Sequence, residues 1–299
     1  MTTRPPLNTE HKSWLRSHPV LTYYALVFAI SWGGMFVAVG PSGIVNSKSD
    51  PAVLTQFVYL VALAGPSVAG ILMTGLIHGR AGLRDLLSRS LRWRVGVGWY
   101  LIALLTAPVL MTAILFVLSL TSPAFVPAIV TTDDRVGLMM SGVVLGLVVA
   151  FFEELGWTGF ATPELRKRYG FLSTGIIMGV SWGAWHYPLF SGSASASGAI
   201  PPALTIAVML FSFLIPFRIL MVWFYERTKS VLVGMLMHAP LAAGMVILLP
   251  PAMSGERVVT FDLVFASALW VIVAAVHVAT DAGKRAKSLF SVEEPRPQP

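Results

Sequence analysis

The chain has 299 residues, of which 56% are hydrophobic and only 12% are charged, whereas soluble domains carry about 25% charged residues. This composition excludes an ordinary soluble domain and predicts an integral membrane protein. The formal charge of +7 comes from Lys and Arg in short segments between apolar runs, where they set membrane orientation, so we expect no nucleic-acid partner. The sequence contains no cysteine, which excludes disulfides, thiolate metal ligands and a cysteine nucleophile.

Apolar runs long enough to cross about 30 Å of hydrocarbon follow one another along the chain. They lie near residues 20–39, 53–77, 99–120, 137–160, 172–190, 203–224, 231–249 and 260–280. The runs are uniformly apolar, whereas the strands of a membrane β-barrel alternate every second residue. The predicted fold is therefore all-α, a polytopic transmembrane helical bundle of about eight spans that is surrounded by membrane lipids.

Lys and Arg are unevenly distributed between the segments that join these spans. If the N-terminus is inside, the outer loops hold only Lys48, Arg135 and Arg257. Because Lys and Arg favour the cytoplasmic side of short loops, we expect both termini to be cytoplasmic.

The chain then divides into a cytoplasmic segment at residues 1–19, a membrane-embedded domain at 20–283 and a cytoplasmic, disordered tail at 284–299. Residues 80–94 have leucines at helical spacing among arginines. This pattern predicts an amphipathic helix on the inner leaflet, with a plain basic loop as the alternative.

Ionisable side chains inside a membrane span are costly, about 2.5–3.5 kcal/mol for an acidic residue at a helix centre, and mark functional sites by default. In chain order, such residues in the predicted spans include Glu153, Glu154, His186, Arg218, His238 and His277. Adjacent helical residues point about 100° apart, so the two carboxylates cannot face one small site in the same way. We expect Glu153, His186 and His238 to share a polar cavity, and Glu153 or Glu154 to pair with Arg218.

Three of these features together resemble the CAAX protease and bacteriocin-processing family (CPBP, also called Abi) of intramembrane proteases. They are the pair Glu153-Glu154 with Gly159 behind it, an aromatic residue four positions before a histidine (Trp182 and His186), and a later histidine, His238. The resemblance runs over a core at about residues 138–248. Two family positions differ: Thr158 stands where the family has arginine, and Ala242 stands where it has asparagine.

The resemblance implies an endopeptidase that hydrolyses a peptide bond of a membrane-associated peptide or a prenylated protein, in a bacterial cell membrane. It implies that Glu153 activates water, while Glu154, His186 and His238 orient that water, bind a metal or donate to the tetrahedral intermediate. The alternative is a catalytically silent member of the family that acts as an immunity factor or membrane scaffold.

Metal assistance is a separate question. His186, His238 and Glu153 would suit a catalytic Zn²⁺ with an open position. However, the His-Glu-x-x-His helix is missing, and a metal-free glutamate mechanism uses the same residues. Thr158 and Ala242 predict slower catalysis with an intact fold, because each lacks the polar group of the family pattern.

Structural roles are expected for several other residues. His277 is expected at the membrane interface. Three tryptophans near the motifs are expected to pack in the core: Trp157, Trp182 and Trp185. Glycines three or four positions apart let helices approach closely, and this is expected at Gly156, Gly159, Gly179 and Gly183.

Overall fold

The computed structural model describes residues 15–39, 51–190, 200–251 and 253–291, and the regular structure within these ranges is helical throughout. The main helices are α1 (Pro19–Val39), α2 (Pro51–Ser90), α3 (Val97–Ser119), α4 (Arg135–Gly156), α5 (Phe171–Trp185), α6 (Pro202–Phe211), α7 (Leu214–Thr228), α8 (Val231–Ile247) and α9 (Glu256–Ser291). Each predicted span has a helical counterpart. Within the described ranges, six helical stretches are long and apolar enough to cross a membrane, and α5 and α8 are shorter apolar helices. The predicted helical bundle is confirmed.

The predicted span at 203–224 is two helices, because α6 ends at Phe211 and α7 begins at Leu214. Pro216 lies in the first turn of α7. Its ring would clash with the carbonyl of residue 212 in a continuous helix, and it cannot donate a backbone hydrogen bond. The break therefore falls where the proline weakens the helical ladder.

Helix α2 bends at Gly79, which has φ 63° and ψ −156°, a conformation that favours glycine. Beyond the bend the chain is helical to Ser90, so the helical interpretation of the arginine-rich segment is correct that far, and residues 91–96 are not helical. On this segment, Arg89 Nη1 donates to the carbonyl oxygen of Gly159 at 3.0 Å and to the hydroxyl of Tyr225 at 2.9 Å.

Small residues bring the central helices into close contact. Helix α4 packs against α8 and α2, and α5 packs against α7. At four predicted contact glycines an added Cβ would lie closer than 3.0 Å to an atom of a neighbouring helix; these are Gly156, Gly159, Gly179 and Gly183. The predicted close approach is confirmed at all four.

Helix α4 continues past Gly156 through one π-helical turn, Trp157–Ala161, into the short helix Thr162–Arg166. Every residue of the π turn is buried. Such turns occur frequently at functional sites. Here the turn directly follows the two glutamates and presents Thr158 beside them.

The ends of the chain are only partly covered. Residues 1–14 and 292–299 of the predicted cytoplasmic segments, and Lys48 of a predicted outer loop, lie outside the described residues. The orientation of the termini and the bacterial membrane stay predictions. His277, expected at the interface, is part of α9 and pairs with Asp281, with 3.5 Å between Nε2 and Oδ2.

Candidate active site

The two adjacent carboxylates at the end of α4 are both buried. Glu153 is 1% exposed and Glu154 is 0% exposed. Their hydrogen-bond partners lie on different helices: Glu153 contacts α5, whereas Glu154 contacts α7 and α8. The expectation that they cannot serve one site in the same way agrees with this arrangement.

Glu154 is held at both of its oxygens. Oε2 accepts hydrogen bonds from the Thr158 hydroxyl and, at 2.9 Å, from Arg218 Nη1. Oε1 lies 2.9 Å from His238 Nδ1 and accepts a hydrogen bond from it. A buried carboxylate with a guanidinium partner and further donors is well compensated for its lost hydration.

Glu153 is held at one oxygen. Its Oε2 accepts a hydrogen bond of 2.6 Å from the indole Nε1 of Trp182. Trp182 is itself buried, with 1% exposure. The described residues therefore make hydrogen bonds to both oxygens of Glu154 but to only one oxygen of Glu153.

The indole of Trp182 is the common contact of the polar residues. Its ring lies edge-on to both imidazoles, with ring centroids 5.4 Å from His186 and 5.2 Å from His238. The guanidinium carbon of Arg218 lies 4.2 Å from the indole centroid. The structure thus brings Glu153, Glu154, His186 and His238 together, with Arg218 added to them.

His186 occupies the C-terminal cap of α5. The helix ends at Trp185, and a short helix, Tyr187–Phe190, with Pro188 in its first turn, follows at once. Nδ1 of His186 donates to the Trp182 carbonyl oxygen at 2.8 Å. The helical run thus ends beside Pro188, whereas α8 runs through Pro240 without interruption.

The predicted zinc ligands do not form a metal site as the side chains lie. Among the residues that the structure describes, no group of three His, Asp or Glu side chains is arranged to hold a metal ion. The residues therefore do not fit the metal in this arrangement, and zinc stays a prediction.

Two residues do more than the sequence suggested. Trp182 was expected to pack in the core, and it also donates to Glu153. Arg218 was expected to pair with one of the glutamates, and it pairs with Glu154. Arg218 thus brings a guanidinium from α7 to Glu154. Thr158, four residues after Glu154, stands where the family pattern has an arginine. The sequence signals for these two roles were a tryptophan at the aromatic position of the family motif and a basic residue within a predicted membrane span.

An apolar groove of about 350 Å³ lies between α3, α4 and α8. Leu104 lines it from α3, Leu147 from α4, and Leu236, Ala239 and Ala243 from α8. Residues three and four apart share one face of a helix, so the groove lies on a different face of α8 from His238. The groove can accept a hydrocarbon chain.

Comparisons with known proteins point to one family. Residues 135–243 match the family described as type II CAAX prenyl endopeptidase, Rce1-like. A CAAX prenyl protease 2 from Methanococcus maripaludis is 30% identical over 94 residues, which cover 31% of this chain and 35% of that protein. The chain thus spans about a third of the relative that it matches. The family resemblance is confirmed, and the matched region carries all four predicted site residues.

Proposed function

We propose that this chain, whose residues 135–243 match the type II CAAX prenyl endopeptidase family, is an intramembrane endopeptidase that cleaves a prenylated, membrane-associated peptide. The names of the matched family and of the relative indicate the class of reaction. The arrangement of side chains supports the assignment of roles.

The observation that carries the proposal is the difference between the two buried glutamates. Both oxygens of Glu154 accept hydrogen bonds from neighbouring side chains, so Glu154 has no oxygen left for a water molecule to approach freely. Glu153 has one oxygen that no described residue engages, because only its Oε2 is held, by Trp182. Glu153 is accordingly the general base, and Glu154 positions the groups around it.

In the proposed reaction, Glu153 removes a proton from a water molecule as the water oxygen bonds to the carbonyl carbon of the scissile peptide. The carbonyl π electrons move to oxygen and form the tetrahedral oxyanion. When the oxyanion collapses, the C–N bond breaks and the proton held by Glu153 passes to the leaving amine. The products are a carboxylic acid and an amine, so one water is consumed.

The histidines assist through their imidazole rings. His186 gives Nδ1–H to the Trp182 carbonyl, which holds its ring beside Trp182, where it orients the attacking water. His238 gives Nδ1–H to Glu154, and its Nε2 faces the reaction as an acceptor or, when the ring is protonated, as a donor.

The apolar groove supports a lipid-modified substrate. Its lining is almost entirely hydrocarbon. Each buried CH₂ contributes about 0.8 kcal/mol, so a prenyl chain in the groove would anchor the substrate at α8, the helix that also carries His238.

The test is cleavage of a prenylated peptide in proteoliposomes by the wild type and by Glu153→Gln, which keeps the shape of the side chain but removes the base. We expect loss of hydrolysis in Glu153→Gln. Asp262→Asn is the matched control, because Asp262 is another acidic residue buried in a membrane-spanning helix, with 4% exposure, but lies on α9. Hydrolysis by Glu153→Gln at the rate of Asp262→Asn contradicts the proposal.

One observation favours the alternative, a silent family member that acts as an immunity factor or scaffold. Ala242 provides no donor one turn after His238, where the family pattern has asparagine. A folded wild type that cleaves neither prenylated nor unmodified membrane peptides supports this alternative.

A further inference from the structure

Arg218 carries hydrogen-bonding capacity that the chain does not use. Its side chain is 1% exposed. Nη1 donates to Glu154, but Nε and Nη2 have no acceptor among the residues that the structure describes. One edge of a buried guanidinium therefore carries two donor nitrogens that no described residue uses.

A buried cation with unused donors is unusual. Native proteins satisfy nearly all buried polar groups, and an unmet donor on a charged group costs more than one on a neutral group. The single ion pair with Glu154 needs only one of the guanidinium nitrogens. The remaining N–H groups are explained if their acceptor arrives with the substrate.

The location of Arg218 fits such an acceptor. Its guanidinium lies over the Trp182 ring, 4.2 Å from the ring centroid, and the N–H of the same indole holds Glu153. The stacking on the ring and the bond to Glu154 fix the guanidinium at two points. An oxygen bound at its free edge would lie in the cluster that contains the base.

The chain also lacks the donor that the family pattern would place here. Ala242 has no polar group, and the hydroxyl of Thr158, the other candidate donor, is used by Glu154. We propose that Arg218 binds the carbonyl oxygen of the scissile peptide and stabilises the oxyanion, in place of the amide that Ala242 lacks. This inference rests on the proposed endopeptidase activity.

The test is a double-variant cycle with Arg218→Lys and Ala242→Asn on the prenylated peptide. Lysine keeps the positive charge beside Glu154 but loses the forked N–H groups. Removing one oxyanion donor lowers the rate by about 10²–10³. We expect a fall of that size in kcat for Arg218→Lys, with KM and thermal unfolding close to wild type.

The double variant separates oxyanion binding from a structural role. If Arg218 is the donor, Ala242→Asn changes the wild-type rate by less than about tenfold but restores at least about tenfold to Arg218→Lys, because the amide replaces a missing group. If Ala242→Asn changes the rate by the same factor in the wild type and in Arg218→Lys, Arg218 only positions Glu154. That result overturns the inference.

A second comparison needs no variant of Arg218 and stands even if Arg218→Lys does not fold. A gain of about 10²–10³ from Ala242→Asn in the wild type would show that the site has no oxyanion donor there, which also overturns the inference. An inactive wild type removes the proposed function itself, and this inference with it. If the wild type is active but Ala242→Asn changes the rate equally with and without Arg218→Lys, only the proposed role of Arg218 is lost.

Discussion

Trp182→Phe tests whether the indole N–H orients the proposed base. The substitution keeps an aromatic ring against His186 and His238 but removes the donor that lies 2.6 Å from Glu153 Oε2. That bond is the one side-chain hydrogen bond that the described residues make to Glu153. Without it, the carboxylate can rotate away from the water that it must activate.

The size of the effect follows from the type of bond. A hydrogen bond to a charged group contributes about 1.5–3 kcal/mol, and each 1.36 kcal/mol in the barrier is about tenfold in rate. If the whole contribution is lost in the transition state, kcat falls by about 10- to 150-fold. KM stays near the wild-type value, because the indole N–H is engaged by Glu153 and not by substrate.

Trp185→Phe is the matched control. Trp185 is also 1% exposed and its ring also lies against His186, but its Nε1 has no acceptor among the described residues. Both variants lose the same volume, and only one loses a hydrogen bond. Steady-state cleavage of a fluorogenic prenylated peptide in proteoliposomes compares them. Equal kcat values for the two variants would refute the role of the Trp182 N–H.

Three further predictions concern the groove, the packing and the topology. Leu147→Trp partly fills the apolar groove, so KM for a prenylated peptide rises, whereas Leu145→Trp on the same helix, outside the groove lining, leaves it unchanged. Gly183→Ala forces a Cβ against a main-chain carbonyl of α6 and lowers the free energy of unfolding by about 1–3 kcal/mol; Gly98→Ala, with nothing within 4 Å, does not, as thermal unfolding in detergent measures. A reporter fused at Thr132 reads outside the cytoplasm.

Each of these has an outcome that contradicts it. Equal KM values for the two tryptophan variants would remove the groove from substrate binding. Equal unfolding temperatures for the two alanine variants would mean that α5 and α6 separate without cost. A cytoplasmic signal from the reporter would reverse the assigned orientation.

The helices could be predicted from the sequence because hydrocarbon thickness sets a minimum length for an apolar run. The interruption between α6 and α7 could not, since the apolar run continues across it with a single polar residue, Ser212. Proline alone does not decide such a break: α2, α3 and α8 continue through Pro66, Pro108 and Pro240. Packing by neighbouring helices determines whether the weakened ladder holds.

The residues of the site could be predicted from the sequence, but the hydrogen bonds and ion pairs between them could not. Glu153, His186 and His238 were found because ionisable groups in a membrane span are conspicuous. Which glutamate pairs with Arg218 depends on the rotation of α7 about its axis. Helix α7 is buried on nearly every side, so its sequence has no polar face from which that rotation can be inferred.

Beyond the bend at Gly79, the amphipathic segment contacts the π turn that follows the two glutamates. Arg89, on the amphipathic segment beyond the bend, grips the carbonyl of Gly159 in the π turn. The residue before that carbonyl is Thr158, whose hydroxyl binds Glu154. Two side-chain hydrogen bonds therefore connect the segment expected at the lipid headgroups, through the π turn, to a carboxylate in the protein interior. Displacing Arg89 would remove this donor from the π turn that carries Thr158.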